Sequence, residues 1–146
     1  MARNVTVAAA QMGPNNEGSS REEIVERMLA LLEQAKQQGV ELIAYPEMAL
    51  TTYFPKKIRK DFDQFFETEM PSPATKPLFD EAKALGIGFC LGYAELTPDG
   101  HRYNSQILVE RDGSIVATFH KVHIPGHEEH EPWRAFQHLE RRYFEP

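Results

Sequence analysis

The pattern of hydrophobic and polar positions in the first third of the chain predicts a strand, a helix and a second strand. The apolar, β-branched run over residues 4–12 is typical of a strand buried on both faces. Apolar residues recur at helical spacing through 21–38, and another apolar run follows over 40–45. A strand, a helix and a strand within roughly 45 residues predict a βαβ unit, in which the two strands are parallel.

The rest of the chain predicts a surface segment of short helix and loop over 55–70, a helix over 71–86, and three further strands: residues 87–96, 103–110 and 114–123. The last two form a hairpin, because Asp112–Gly113 between them is a dipeptide typical of tight turns. Residues 125–146 have no clean periodicity, which indicates an ordered loop with one helical turn.

Local signals mark the ends of the two helices. Ser20 stands three residues before Glu23, the spacing of a capping box in which each side chain binds the other residue's backbone N–H. Gly39 and Gly86 follow the last periodic residues, where a left-handed glycine can end a helix.

These elements predict an α/β layered fold. A parallel sheet needs helices on both faces, and an α/β domain commonly runs about 200–250 residues. We therefore interpret residues 1–146 as the N-terminal part of one incomplete α/β domain. We expect such a chain to expose a sheet face and to self-associate.

Composition excludes several classes of protein. The chain is 41% apolar and 26% charged, which is typical of a folded globular protein. Its net charge of -6 argues against nucleic acid or an anionic membrane as partner. Because no apolar stretch approaches the ~20 residues of a membrane helix and no leader pattern is present, we expect a cytoplasmic protein. The single cysteine, Cys90, excludes an internal disulfide.

Two charged residues follow predicted strands. Glu47 comes just after the strand 40–45, and Lys121 lies at the end of the hairpin. Ligands of open parallel sheets bind beyond the carboxyl ends of strands, although a solvated capping glutamate and an exposed lysine are the simpler interpretations of either residue alone. Apolar neighbours of Glu47 would desolvate its carboxylate and raise its pKa towards that of a general base.

The other chemically active side chains carry weaker signals. Pro125–Gly126 interrupts the spacing of the histidines that could bind a metal, so we expect no metal: His120, His123, His127 and His130. Cys90 lies within an apolar strand, where a thiol is more often a small hydrophobe than a nucleophile.

Several segments together resemble the nitrilase superfamily of carbon–nitrogen hydrolases. The superfamily's first motif is an apolar strand followed by Pro-Glu, here "ELIAYPEMALTTYF", and its second is a lysine after a strand, here "FHKVHIPG". Longer runs such as "ETEMPSPATKPLF" and "FQHLERRYFEP" are similar to N-carbamoyl-D-amino acid amidohydrolases (D-carbamoylases) within it. The resemblance implies the N-terminal part of an α-β-β-α sandwich.

The resemblance also implies roles for individual residues. Glu47 matches the family's general base, Lys121 the lysine that stabilises the tetrahedral intermediate, and Glu140 a second glutamate that holds the lysine and substrate. His123 and His138 match histidines near the family's active site. The nucleophilic cysteine belongs to a later motif that is not in this chain. His120 replaces the arginine that usually precedes the lysine, which affects packing more than chemistry.

The implied reaction is hydrolysis of N-carbamoyl-D-amino acids to D-amino acid, carbon dioxide and ammonia, with no cofactor, by an enzyme that is commonly a homo-oligomer. Two alternatives stay open: another amidase of the superfamily, acting on carbamoylputrescine or aliphatic amides, and a non-catalytic remnant or assembly module. Without its nucleophile, the chain of 146 residues is expected to be inactive alone. The DNA beyond residue 146 would show whether a cysteine motif follows.

Overall fold

The computed structural model describes residues 2–146, which contain one mixed five-stranded sheet and three helices. In chain order the elements are β1 (Val7–Ala9), α1 (Arg21–Gln37), β2 (Leu42–Ala44), α2 (Lys76–Leu85), β3 (Gly88–Leu96), β4 (Arg102–Val109), β5 (Ile115–His120) and α3 (Glu140–Tyr143). Two 3-10 turns, Phe54–Lys56 and Asp63–Phe65, lie in the long connection between β2 and α2.

The sheet has the order β1-β2-β3-β4-β5. Strands β1, β2 and β3 are parallel, and β4 is antiparallel to both of its neighbours, β3 and β5. The predicted βαβ unit and hairpin are therefore both present. Gly113 adopts a φ of 85° in the hairpin turn, where the N–H of Gly113 donates to the carbonyl of Glu110. Strands β2 and β5 flank the β3–β4 pair and run in the same direction. Their carboxyl ends therefore lie at the same end of the sheet.

Helices α1 and α2 pack together on one face of the sheet and form the main core with it. Helix α1 begins at the predicted capping box, and Gly39 (φ 72°) follows its end. Helix α2 begins at Lys76, later than predicted, because Ser72 and Thr75 bind each other in a turn before it. It ends, as predicted, at the left-handed Gly86.

At β1 and β5, the opposite face of the sheet carries apolar side chains with no layer packed over them in residues 2–146, whereas Ala94 of β3 on that face is buried. Val7 on β1 is 64% exposed and Phe119 on β5 is 58% exposed. The prediction that residues 4–12 form a strand buried on both faces is therefore wrong: β1 has three residues and lies at a sheet edge. The apolar run identified a strand correctly, but its burial depends on what covers the sheet.

A second, aromatic cluster holds the segment after β2 against the C-terminal segment. Phe54 is fully buried and packs among the aromatic side chains of the cluster: Phe65, Phe66, Tyr143 and Phe144. The N–H of Leu139 also donates to the carbonyl of Pro55 (2.9 Å). The cluster therefore fixes where residues 53 and 140 meet. Within the described residues, no helix is long and apolar enough to span a bilayer.

Candidate active site

Glu47 lies on a tight backbone bend just beyond β2. The N–H of Tyr45 donates to the carbonyl of Cys90 (2.9 Å), and the N–H of Ala49 donates to the carbonyl of Gly92 (2.8 Å), so β3 holds both sides of the bend. Met48, between them, has a φ of 49°, a left-handed conformation that is uncommon for a residue with a side chain. The bend turns the Glu47 side chain out of the strand.

Gly92 makes room for this bend. A Cβ atom on Gly92 would lie 3.0 Å from the Cα of Glu47 and 3.0 Å from the carbonyl oxygen of Pro46, both backbone atoms that cannot rotate away. We expect Gly92→Ala to lower the free energy of unfolding by about 1–3 kcal/mol, the range for overpacking, and to displace Glu47.

Urea denaturation and the backbone amide shifts of residues 46–48 would measure both effects. Gly18→Ala is the matched control, because a Cβ on Gly18 meets no atom within 4 Å. Unchanged stability and unchanged amide shifts in Gly92→Ala would contradict this account of the bend.

Lys121 follows β5 and bridges two carboxylates. Its backbone N–H donates to the carbonyl of Asn104 (2.9 Å), which continues the pairing of β4 with β5. Its ammonium Nζ donates to Glu47 Oε1 (2.7 Å) and to Glu140 Oε2 (3.1 Å). The three residues that sequence analysis assigned to catalysis therefore meet at one point.

Glu140 is the buried and fully bound member of this group. Its side chain is only 4% exposed at the start of α3. Oε1 accepts hydrogen bonds from the Tyr53 hydroxyl (3.0 Å) and from His138 Nε2 (3.0 Å), while Oε2 accepts from Lys121. Burial, with Glu140 as the next cause, raises the pKa of Tyr53 above its usual range, so its hydroxyl stays a donor. Both oxygens of Glu140 are occupied, which suits an anchor for Lys121.

Glu47 is the exposed and partly free member. Its side chain is 57% exposed, and Oε1 accepts hydrogen bonds from Lys121 and from Asn104 Nδ2, both at 2.7 Å. Oε2 accepts no hydrogen bond from residues 2–146. A carboxylate with one oxygen held and the other free can take a proton from a group that approaches it. Geometry thus distinguishes an exposed glutamate with one free oxygen, Glu47, from a buried glutamate with both oxygens bound, Glu140.

The charges reinforce this arrangement. Partial burial pushes the pKa of Glu47 up, but the hydrogen bonds from Lys121 and Asn104 outweigh it, so the pKa lies below its usual value. The sequence-based expectation of a raised pKa is therefore wrong, because it considered only the apolar neighbours. Burial pushes the pKa of Lys121 down, but Glu47 and Glu140 outweigh it and raise the pKa, so Lys121 stays an ammonium.

Glu47 and Lys121 line a hollow of about 230 Å³ at the uncovered face of the sheet. The hollow, hereafter the Glu47 hollow, is also lined by Pro46, Gly92, Asn104, Gln106 and Phe119, among others. Its floor is a sheet, so its shape is held rigidly.

Other predicted residues lie outside the Glu47 hollow. His138 reaches the site through Glu140, whereas the exposed His123 lines a separate hollow beside Ile124 and Arg141. Cys90 is half-buried on β3 and does not line the Glu47 hollow; burial raises the pKa of its thiol.

Of the remaining candidate histidines, His120 and His127 have side-chain partners, whereas His130 is exposed. His120 stacks on Tyr103 at 4.0 Å and binds Glu95 (3.0 Å), on the opposite face of β5 from Lys121. His127 binds Gln137 (3.1 Å). Across residues 2–146, no group of three side chains is placed to hold a metal ion.

Sequence analysis missed two residues of the site, Tyr53 and Asn104. A register argument could have found Asn104: Ser105 pairs with His120, so the residue before Ser105 lies beside Lys121. Tyr53 carries no comparable signal, because its contact with Glu140 joins residues 87 positions apart.

Comparison with known proteins identifies the family and agrees with the fold. The carbon-nitrogen hydrolase family profile matches residues 6–146, and the chain therefore belongs to this family. N-carbamoylputrescine amidase of Solanum tuberosum is 28% identical over 123 residues, covering 84% of this chain and 40% of the relative.

Solved structures share the fold. A carbon-nitrogen hydrolase of Helicobacter pylori G27 superposes with a TM-score of 0.77 at 24% identity, covering 97% of this chain and 45% of that one. A mutant amidase of Nesterenkonia sp. AN1, with acrylamide added to its active-site cysteine, superposes with a TM-score of 0.71 at 20% identity, covering 98% and 50%. The chain thus spans half or less of the length of these relatives. Its fold is the N-terminal part of the nitrilase-like α/β architecture.

Proposed function

We propose that this chain supplies the base and the cation of a hydrolase that cleaves the carbamoyl C–N bond of N-carbamoyl-D-amino acids. The observation that carries the proposal is Lys121 held between Glu47 and Glu140, with Oε2 of Glu47 free. Family membership supports hydrolysis of a carbon–nitrogen bond. The motifs "ETEMPSPATKPLF" and "FQHLERRYFEP" support the D-carbamoyl substrate.

The proposed chemistry needs a cysteine thiol from outside residues 1–146. Glu47 would take the thiol proton as the sulfur attacks the carbamoyl carbon. The Lys121 ammonium would stabilise the oxyanion that forms, an electrostatic role that needs no proton transfer. Ammonia would leave with a proton returned from Glu47, which leaves a carbamoyl thioester on the cysteine.

Water activated by the same glutamate would then hydrolyse the thioester. The thiol returns to the enzyme, and the released carbamate breaks down to the D-amino acid and carbon dioxide. Per turnover, one substrate and one water give one D-amino acid, one carbon dioxide and one ammonia. No step calls for a cofactor. The proposed binding partner is thus a small-molecule substrate. We propose that the full enzyme is a homo-oligomer and is located in the cytoplasm.

A second candidate is an amidase for N-carbamoylputrescine or a simple amide. The observation that favours it is the 28% identity to N-carbamoylputrescine amidase. Both candidates use the same Glu47 hollow, because the residues that recognise the rest of the substrate lie largely elsewhere.

The chain of 146 residues is expected to release no ammonia from N-carbamoyl-D-amino acids, because Cys90 does not line the Glu47 hollow. An ammonia assay on the purified chain measures this, with Glu47→Gln as the matched control. Turnover that Glu47→Gln abolishes would contradict the expected inactivity.

A version extended through a cysteine-bearing second half is expected to hydrolyse N-carbamoyl-D-amino acids faster than N-carbamoylputrescine, N-carbamoyl-L-amino acids or aliphatic amides. The measurement is kcat/KM across this panel. Faster hydrolysis of N-carbamoylputrescine or of an aliphatic amide would overturn the proposal in favour of the second candidate. No hydrolysis of any of the four would overturn both and leave the chain a binding module.

A further inference from the structure

Asn104 touches both charged groups of the site. Its side-chain Nδ2 donates to Glu47 Oε1 (2.7 Å), and its backbone carbonyl accepts from the N–H of Lys121 (2.9 Å). The residue is only 5% exposed and is paired with Ala94 of β3 in the middle of the sheet. A rigid backbone position therefore holds both contacts.

The two donors to Glu47 converge on one oxygen. Lys121 and Asn104 both bind Oε1, which leaves Oε2 without a hydrogen bond from residues 2–146 in a side chain that lines the Glu47 hollow. Lys121 alone would hold the carboxylate by a flexible side chain, and that side chain also serves Glu140. An amide is planar, carries no charge and does not titrate, so its ability to donate to the Glu47 carboxylate does not depend on its own protonation state.

We propose that Asn104 is a positioning residue that holds Glu47 by one oxygen and thereby determines which oxygen is free to act as the base. The expected effect of Asn104 on catalysis rests on the proposed function. Its expected effect on the orientation and titration of the Glu47 carboxyl group rests on the contacts alone. Burial raises the pKa of Glu47, and the hydrogen bonds from Lys121 and then from Asn104 outweigh it, so the Asn104 contact contributes to the lowered pKa. Asn104 acts through Glu47 and does not itself need to touch the substrate.

The first test needs no activity. The chain is labelled with 13C at the glutamate Cδ, and Glu47 is titrated by NMR, with its signal assigned by its absence in Glu47→Gln. Asn104→Leu removes the donor at similar volume and is expected to shift the titration midpoint of Glu47 upward. Gln106→Leu is the matched control, since Gln106 lies on the same strand and face and gives Glu47 no hydrogen bond. An unmoved midpoint in Asn104→Leu would overturn the proposal.

A second measurement covers the case in which Asn104→Leu does not fold. In the unmodified chain, the Asn104 Nδ2 protons are expected to shift with the same midpoint as the Glu47 carboxyl carbon. Asn104→Ala, which adds no bulk, is expected to raise that midpoint as Asn104→Leu does. If the chemical shifts of the Asn104 Nδ2 protons do not change as Glu47 titrates, the proposal is overturned.

A third measurement connects Asn104 to catalysis in the extended protein. Asn104→Leu is expected to lower kcat about 10–100-fold, the cost of a misplaced catalytic group, with a smaller change in KM. The acid limb of the pH–rate profile should move upward with the Glu47 midpoint. A fall in kcat with an unmoved acid limb would indicate a merely structural role and overturn the proposal. Failure of the proposed function would give a different result. The unmodified extended protein would show no turnover, while the Asn104 variants would still shift the Glu47 titration midpoint measured by NMR.

Discussion

Replacement of Lys121 by methionine is expected to destabilise the chain by about 3 kcal/mol at pH 7, the lower end of the cost of breaking a buried ion pair. The variant leaves the Glu140 carboxylate, 4% exposed, without its cation and facing the like charge of Glu47. Methionine keeps the length of the lysine stem, so the loss reports the charge. Urea denaturation followed by far-UV circular dichroism measures it.

The pH dependence of this loss has a defined sign. Burial raises the pKa of Glu47 in the folded chain, but other contacts, chiefly the hydrogen bond from Lys121, outweigh burial and lower it. A lowered carboxyl pKa contributes stability above the ordinary pKa and loses it as pH falls through the lowered value. The stability difference between the unmodified chain and Lys121→Met should therefore be largest near neutral pH and shrink in acid.

Two further variants isolate the cause. Adding Glu140→Gln to Lys121→Met removes the unpaired buried charge and should recover part of the stability, whereas Lys60→Met at an exposed lysine should change it little. If the losses in free energy of unfolding caused by Lys121→Met and Lys60→Met differ by less than about 1 kcal/mol, the Lys121–Glu140 ion pair contributes no more than a surface salt bridge. That result would contradict the prediction. In the extended protein, loss of the cation at the oxyanion should cost about 10²–10³ in kcat.

Local signals predicted the elements that depend on local chemistry. The capping box of Ser20 and Glu23, the stop at Gly86 and the turn at Gly113 all lie where the sequence placed them. Each uses atoms within a few residues of one another, so neighbouring sequence contains the needed information. The strand at residues 7–9 was misjudged in burial, because exposure depends on a layer that the strand itself does not contain.

The site was predictable only as far as its residues stand at strand ends. Position and family resemblance brought Glu47, Lys121 and Glu140 together, and the structure places them within hydrogen-bonding distance. Asn104 is 57 residues from Glu47 along the chain, and Tyr53 is 87 from Glu140. The direction of the Glu47 pKa was misjudged for the same reason: its neighbours in sequence are apolar, while its neighbours in space are donors.

The aromatic cluster behind the site should be as important to stability as the ion pair in front of it. Phe54→Ala is expected to lower the free energy of unfolding by about 3–5 kcal/mol, the usual cost of removing a fully buried phenylalanine. Phe54 stacks on Phe65 at 4.8 Å between ring centroids and meets Tyr143 edge-on at 5.2 Å. Its removal leaves a cavity between the segments that carry Tyr53 and Glu140.

Urea denaturation measures the loss, and Phe136→Ala is the matched control, because Phe136 is 81% exposed and should cost less than about 0.5 kcal/mol. The cluster also positions the anchor of the lysine, since Tyr53 precedes Phe54 and donates to Glu140. The midpoint of the Glu47 titration should therefore move in Phe54→Ala under conditions where the variant is still folded. If Phe54→Ala and Phe136→Ala lose equal stability, the cluster does not hold these segments, and the geometry around Glu140 must be fixed by its polar contacts alone.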